Sequence, residues 1–168
     1  MGYLIAKCYT NAALVENDVE VCNGIENIIQ RGQCMNRIAD ATGDFFICEK
    51  IEDEEEKAKC QSNHASKFNN PDACEEIDNS NVKDGCYASI AKDTNDPALC
   101  DMIKYSGTRN SCFTSLARQN NEVKYCHDID DDKDEFILCV VVTAKANINS
   151  EICNQIDTDK GKYVCVYY

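Results

Sequence analysis

The chain has only two histidines, no C-x2-C pair, no glycine-rich phosphate loop, no N-x-S/T acceptor and no apolar run long enough to span a bilayer. Each absence removes a class of function. Structural zinc sites want paired cysteines or clustered histidines, so no metal and no cofactor is expected. His64 stands in a column that reads Ile38, Ile90 and Leu116 elsewhere, which makes it a core substitution, and His127 follows Cys126 on a solvated face. Ser89 and Ser115 have no His–Asp pair beside them to activate a hydroxyl, so no catalytic residue is expected and the chain reads as a non-enzyme. Basic residues are scarce too: 17 Lys and Arg against 30 Asp and Glu give a net charge of −13, which repels nucleic acid.

What is abundant is cysteine, and its spacing is regular. The thirteen cysteines stand at 8, 22, 34, 48, 60, 74, 86, 100, 112, 126, 139, 153 and 165, with separations alternating between 14 and 12 residues except for a single 13. Other columns keep step. Three after each first cysteine comes Ile25, Ile51, Ile77, Ile103, Ile129 or Ile156; five after each second cysteine comes Ala13, Ala39, Ala65, Ala91, Ala117 or Ala144. A cap column reads Asp18, Asp44, Asn70, Asp96, Glu122 and Asn149. A fixed period of 26 residues signals a solenoid, in which each unit buries its apolar face only by stacking on its neighbours.

The unit is clearest in residues 96–121. Asp96 is an N-cap with Pro97 at the first helical position, and Cys100 and Ile103 share one helical face. Ser106-Gly107 ends that helix, Ser106 caps a second one, and Cys112, Leu116 and Ala117 form its stripe until Gln119-Asn120-Asn121 stops it. Alanine is what a close helix approach needs, with isoleucine as the matching knob. The expected fold is an all-α, right-handed αα-hairpin solenoid of about thirteen short helices, one cysteine per helix. The chain 1–168 is then a single domain: a half repeat over 1–17, full repeats over 18–43, 44–69, 70–95, 96–121 and 122–148, and a truncated repeat over 149–168.

With metal excluded, disulfides are the default, and they imply oxidising surroundings. Seventeen asparagines weigh against the hot intracellular exception. Extracellular or cell-surface placement is therefore expected, although the opening Met-Gly-Tyr-Leu-Ile-Ala-Lys has no secretory apolar region. A leader removed beforehand, or a cut from a longer chain, would explain that. Two pairings fit the symmetry of the turns. Bonding inside the hairpin, the favoured one, joins Cys22–Cys34, Cys48–Cys60, Cys74–Cys86, Cys100–Cys112, Cys126–Cys139 and Cys153–Cys165 and leaves Cys8 unpaired or free for another chain. The shifted register, starting Cys8–Cys22 and Cys34–Cys48, leaves Cys165 and stays open.

Charge also follows the repeat. A basic column (Arg31, Lys57, Lys83, Arg109, Lys162) and an acidic one (Glu26, Glu52, Asp78, Asp130, Asp157) flank the same turn and are expected to pair across it. Asp128, Asp130 and Asp132 echo the start of a calcium loop, but Lys133 replaces the required glycine and Cys139 the closing glutamate.

The Asp96-x3-Cys100-x2-Ile103 helix followed by Cys112-x4-Ala117 resembles the disulfide-stapled hairpins of Sel1-like and tetratricopeptide-like secreted proteins. It is more similar still to cysteine-repeat proteins of archaeal cell surfaces. The likeness covers the whole chain, but the tetratricopeptide period is about 34 residues and its Trp, Gly and Tyr marks are missing. What the resemblance implies is an extracellular scaffold or binding solenoid without catalysis, and it carries over no functional residue.

Function is expected where the repeat breaks. Neither end carries a polar capping unit, so Tyr3, Leu4 and Ile5 at one end and Tyr163, Tyr167 and Tyr168 at the other are candidate interface residues. Unit five holds the second break: Phe136, Ile137, Leu138, Val140, Val141 and Val142 make its helix apolar all round, as if covered by a partner. The expected function is a non-catalytic extracellular structural protein that self-assembles head to tail as a filament or surface-layer subunit. Its expected partners are copies of itself or other surface proteins, with no nucleic acid and no membrane span. The alternative is a monomeric secreted solenoid that binds a protein partner.

Overall fold

The computed structural model describes residues 2–129, 133–159, 161, 162 and 165. Among them every regular element is helical. Nine α-helices are α1 (Gly2–Glu16), α2 (Ile28–Thr42), α3 (Phe46–Glu49), α4 (Glu54–Lys67), α5 (Asp72–Glu75), α6 (Ser80–Thr94), α7 (Ala98–Asp101), α8 (Ser106–Asn120) and α9 (Lys133–Ala146). Three 3-10 segments, Val19–Gly24, Val123–Asp128 and Ser150–Gln155, complete the order. The chain forms two compact units, Met1–Cys86 and Tyr87–Tyr168, with the division falling inside α6.

The two helices of the expected hairpin are unequal. The second ones are 14 or 15 residues long, whereas the first are single turns of four α or six 3-10 residues. The reason is local. Asp18, Asp44, Asp96 and Asn149 each accept an amide two residues on, at 2.9–3.1 Å, which starts the turn. The isoleucine of each unit then closes it by donating its N–H to the carbonyl of its cysteine, at 3.0–3.3 Å in all six units. That three-residue closure is 3-10 geometry and leaves no room for a second turn. The cap of α8 is Tyr105 rather than Ser106, which lies inside the helix; Asn27, Asp53 and Asn79 hold the equivalent place and do cap.

Five of the long helices, α1, α4, α6, α8 and α9, end in one way. The carbonyl of Ala13, Ala65, Ala91, Ala117 or Ala144 accepts the amide of the next unit's cap residue, at 2.9–3.1 Å. The residue before the cap must then turn left-handed, and Asn17, Asn69, Asn95, Asn121 and Ile148 all have positive φ. In α2 the closure is one residue tighter: Gly43, at φ 74°, donates to Ala39 itself. This Asn/Gly column lies nine residues after each second-helix cysteine. The four asparagines of this column are therefore structural, because Asn and Gly tolerate this region best.

The cores follow the columns. All six alanines and all six isoleucines are buried, none more than 7% exposed. In the first unit α2 packs against α1 on one side and α4 on the other. Gly32 faces the next unit closely: a Cβ there would lie 3.0 Å from both Glu56 Cβ and Ile51 Cγ2. In the second unit α8 packs on α9 and on the Val123–Asp128 turn. Side chains from the end of one long helix also satisfy carbonyls left open at the end of the preceding one. Lys67 donates to the Asp40 carbonyl at 2.6 Å, and Gln119 to that of Lys92 at 3.2 Å.

Candidate functional site

Six disulfides tie each single turn to the next cysteine, in five units on the long helix that follows: Cys22–Cys34, Cys48–Cys60, Cys74–Cys86, Cys100–Cys112, Cys126–Cys139 and Cys153–Cys165, with Cα separations of 5.5–5.9 Å. The extra residue of unit five lies between Ile129 and Cys139 and does not prevent the bond. Asp130 and Asp132 of the candidate calcium loop lie outside the described residues; Asp128 is exposed. Among the described residues no three of His, Cys, Asp and Glu converge on a point where a metal ion could sit. Nor is any helix there long and apolar enough to cross a membrane.

His64 closes a contact between the ends of α2 and α4. Its Nε2 meets the Gly43 carbonyl at 3.0 Å, and its ring sits between Phe45 and Phe68, at centroid distances of 5.3 and 4.5 Å. The buried Nδ1 has no partner. His127 is exposed against Phe136.

The interface candidates separate into three groups. Tyr3, Leu4 and Ile5 are exposed on α1, the first two at 71%. Tyr163, Tyr167 and Tyr168 lie outside the described residues. In α9, Val140 and Val141 are buried inside their own unit, and Phe136, Ile137 and Val142 are half-buried. The expectation that a partner covers this helix is thus corrected for Val140 and Val141. Val140 takes the position next to the cysteine that Met35, Tyr87 and Phe113 fill with buried bulk elsewhere. Its neighbour Val141 packs in beside it, and the outward apolar residue is Leu138, 52% exposed.

Helix α1 is the second helix of a unit, with Ala6, Thr10 and Ala13 buried against α2 and the Val19–Gly24 turn. On the opposite side, spaced four and seven residues apart, stand Leu4, Cys8 and Val15. Cys8 is a free, exposed thiol at the position where every other long helix buries a bonded cysteine, and Val15 is 86% exposed.

The charge columns pair differently from the expectation that each basic residue meets the acidic residue across its own turn. Arg31 puts Nη1 on the Ile25 carbonyl at 3.1 Å and Nη2 on Glu52 of the next unit at 2.8 Å. Arg109 likewise places Nη1 on Ile103, at 3.2 Å. The lysines turn back instead. Lys57 pairs with Glu49 at 3.0 Å, and Lys83 reaches the Glu75 carbonyl at 2.7 Å. A guanidinium is long and forked enough to bridge two units, while an ammonium settles on the nearest carboxylate. Glu49 and Glu75 directly follow Cys48 and Cys74, a column the sequence reading missed although it stands one residue from the cysteines. The Lys57 hydrogen bond holds the Glu49 carboxyl below its ordinary range, and the Glu49 bond raises Lys57.

Between α4 and the turn entering α6 lies a groove of about 630 Å³, lined by Glu54, Lys57, Ala58, Asp78, Asn79 and Val82 among others. Comparison of the whole chain with protein-family models, curated proteins and solved structures returns no match.

Proposed function

We propose that the chain is a non-catalytic structural module of the extracellular space, a disulfide-stapled helical repeat that associates with copies of itself through the free face of α1. The observation that supports this is the position of Cys8. Its equivalents Cys34, Cys60, Cys86, Cys112 and Cys139 are each buried and bonded to a cysteine 12 or 13 residues earlier. Cys8 is instead exposed on an apolar stripe with Leu4 and Val15. A helix with apolar residues on opposite sides favours a neighbour on both. The mate is the last hairpin of another copy, which would give a head-to-tail series; a series that does not close is a filament. Six staples in this short chain suit an oxidising compartment.

The test is light scattering across a concentration series, with non-reducing peptide mapping of the same material. The expected result is a mass that grows with concentration while Cys8 loses its reactivity toward alkylation; the cysteines of the last hairpin are bonded to each other, so a Cys8–Cys8 link would make a closed pair and overturn the head-to-tail series. A constant monomer mass with Cys8 as a titratable thiol would overturn the reading.

A further inference from the structure

Nothing inside the chain accounts for an isoleucine at position 148. The same place in the other units is Asn17, Gly43, Asn69, Asn95 or Asn121, residues that accept a positive φ. Ile148 holds φ 50° with a branched side chain that is 95% exposed. A strained residue that gains no packing within its own chain points to a contact outside it. Lys145, whose carbonyl accepts the Ile148 amide, is exposed beside it and has no ion pair among the described residues.

A matching recess lies beside α1. A groove of about 520 Å³ separates that helix from the turn entering α2, with Ile5, Ala6, Tyr9 and Ile25 as apolar lining and Glu26 at the edge. Two glycines make the room. In the next unit the places of Gly2 and Gly24 belong to Ile28 and Lys50. A Cβ on Gly24 would lie 2.3 Å from the Tyr9 ring, so that ring rests on the turn only because residue 24 has no side chain. Ile5 and Tyr9 stay exposed, although Met35, Tyr87 and Phe113, in the place of Tyr9, are buried. Glu26, like Lys145, has no ion pair among the described residues.

We propose that Ile148 of one copy enters this groove of a second copy, with Lys145 meeting Glu26 at its edge. The apolar side chain fits the apolar lining, and the two uncommitted charges are of opposite sign. The groove adjoins the free face of α1, since Ile5 follows Leu4 directly. Projection and recess stand at different places on one chain, so the contact repeats from copy to copy without closing. This rests on the reading of self-association through α1 and names the contact that gives it direction.

The experiment is light scattering of the full chain and its variants across a concentration series, with circular dichroism confirming that each is folded. Wild type is expected to grow in mass with concentration, while Ile148→Asn and Ile5→Asp each associate at least about tenfold more weakly. Each of these keeps the end that the other has lost, so an equimolar mixture is expected to regain association but to stop at pairs. Lys145→Glu should weaken association too, and adding Glu26→Lys in the same chain should restore it. Growth of Ile148→Asn or Ile5→Asp equal to wild type, a mixture no larger than its components, or a charge swap that restores nothing would overturn this contact while leaving self-association in place. A wild type that stays monomeric throughout would overturn the reading on which it rests, and this contact with it.

Discussion

The Asn149 amide donates to the Ala144 carbonyl at 3.0 Å, and that closure holds Ile148 between them at φ 50°. The same bond ends α1, α4, α6 and α8, where the intervening residue is Asn17, Asn69, Asn95 or Asn121. Isoleucine is ill suited to this backbone, because its branched Cβ crowds the following carbonyl oxygen. Nor does it gain from packing, since its side chain is 95% exposed.

Ile148→Asn is therefore expected to stabilise the second unit by about 1 kcal/mol, a rise of about 2–4 °C in Tm for a chain of this size. The reciprocal change, Asn121→Ile, should lower Tm by a similar amount. Thermal melts followed by circular dichroism check both. An unchanged or lowered Tm in Ile148→Asn would show that the left-handed position is not strained.

Thr143 offers a second repair. It occupies the column of Ile38, Ile90 and Leu116, is fully buried, and its hydroxyl has no hydrogen-bond partner. Thr10, Thr42 and Thr94 each donate to the carbonyl four residues back, so the unsatisfied hydroxyl is particular to this site. Thr143→Val keeps the shape and removes the unpaired group, and about 1 kcal/mol of added stability is expected. Urea unfolding at constant m-value is the measurement, and a loss of stability would mean that the hydroxyl is satisfied in solution.

These two positions also mark how far the sequence could be read. The columns of Cys, Ile and Ala were visible because each must be the same residue in every unit: one bonds, one fills and one allows close approach. The left-handed column was overlooked because it mixes Asn17, Gly43 and Ile148, residues alike in backbone behaviour but not in chemistry. The charge pairing was misjudged for a different reason. Arg31 and Lys57 share a column, yet their reach differs, and only coordinates separate a bridge to Glu52 from a fold-back to Glu49. The burial of Val140 and Val141 was hidden because an apolar run looks the same whether the chain or a partner covers it.

The staples should matter most to the single turns. Phe46–Glu49 is four residues long, far below the length at which a helix persists alone, and Cys48–Cys60 pins it to α4. Replacing both cysteines by serine is expected to cost on the order of 3 kcal/mol. The loss should be local first. The Ile51 amide, bonded to the Cys48 carbonyl at 3.2 Å, should lose hydrogen-exchange protection, while the equivalent Ile25 amide on Cys22 keeps it. Uniform loss across both turns would instead mean that the first unit opens as one body.

The Glu49–Lys57 pair sets a pH dependence whose sign can be worked out. Glu49 is held below its ordinary value of 4.5 mainly by the Lys57 hydrogen bond, so its contribution is present above that value and is lost as pH falls through the depressed range. Lys57 is raised above 10.5, so its contribution is present below that value and is lost as pH rises past it. Between those limits wild type should exceed Lys57→Gln by a constant, modest margin, because Glu49 remains 42% exposed and solvent screens the pair. The margin should also shrink with added salt. Melting both proteins from neutral pH into the acid range below 4.5 tests this, since protonating Glu49 should bring the two curves together. A margin that persists undiminished in acid would place the role of Lys57 in the packing of its carbon chain rather than in its charge.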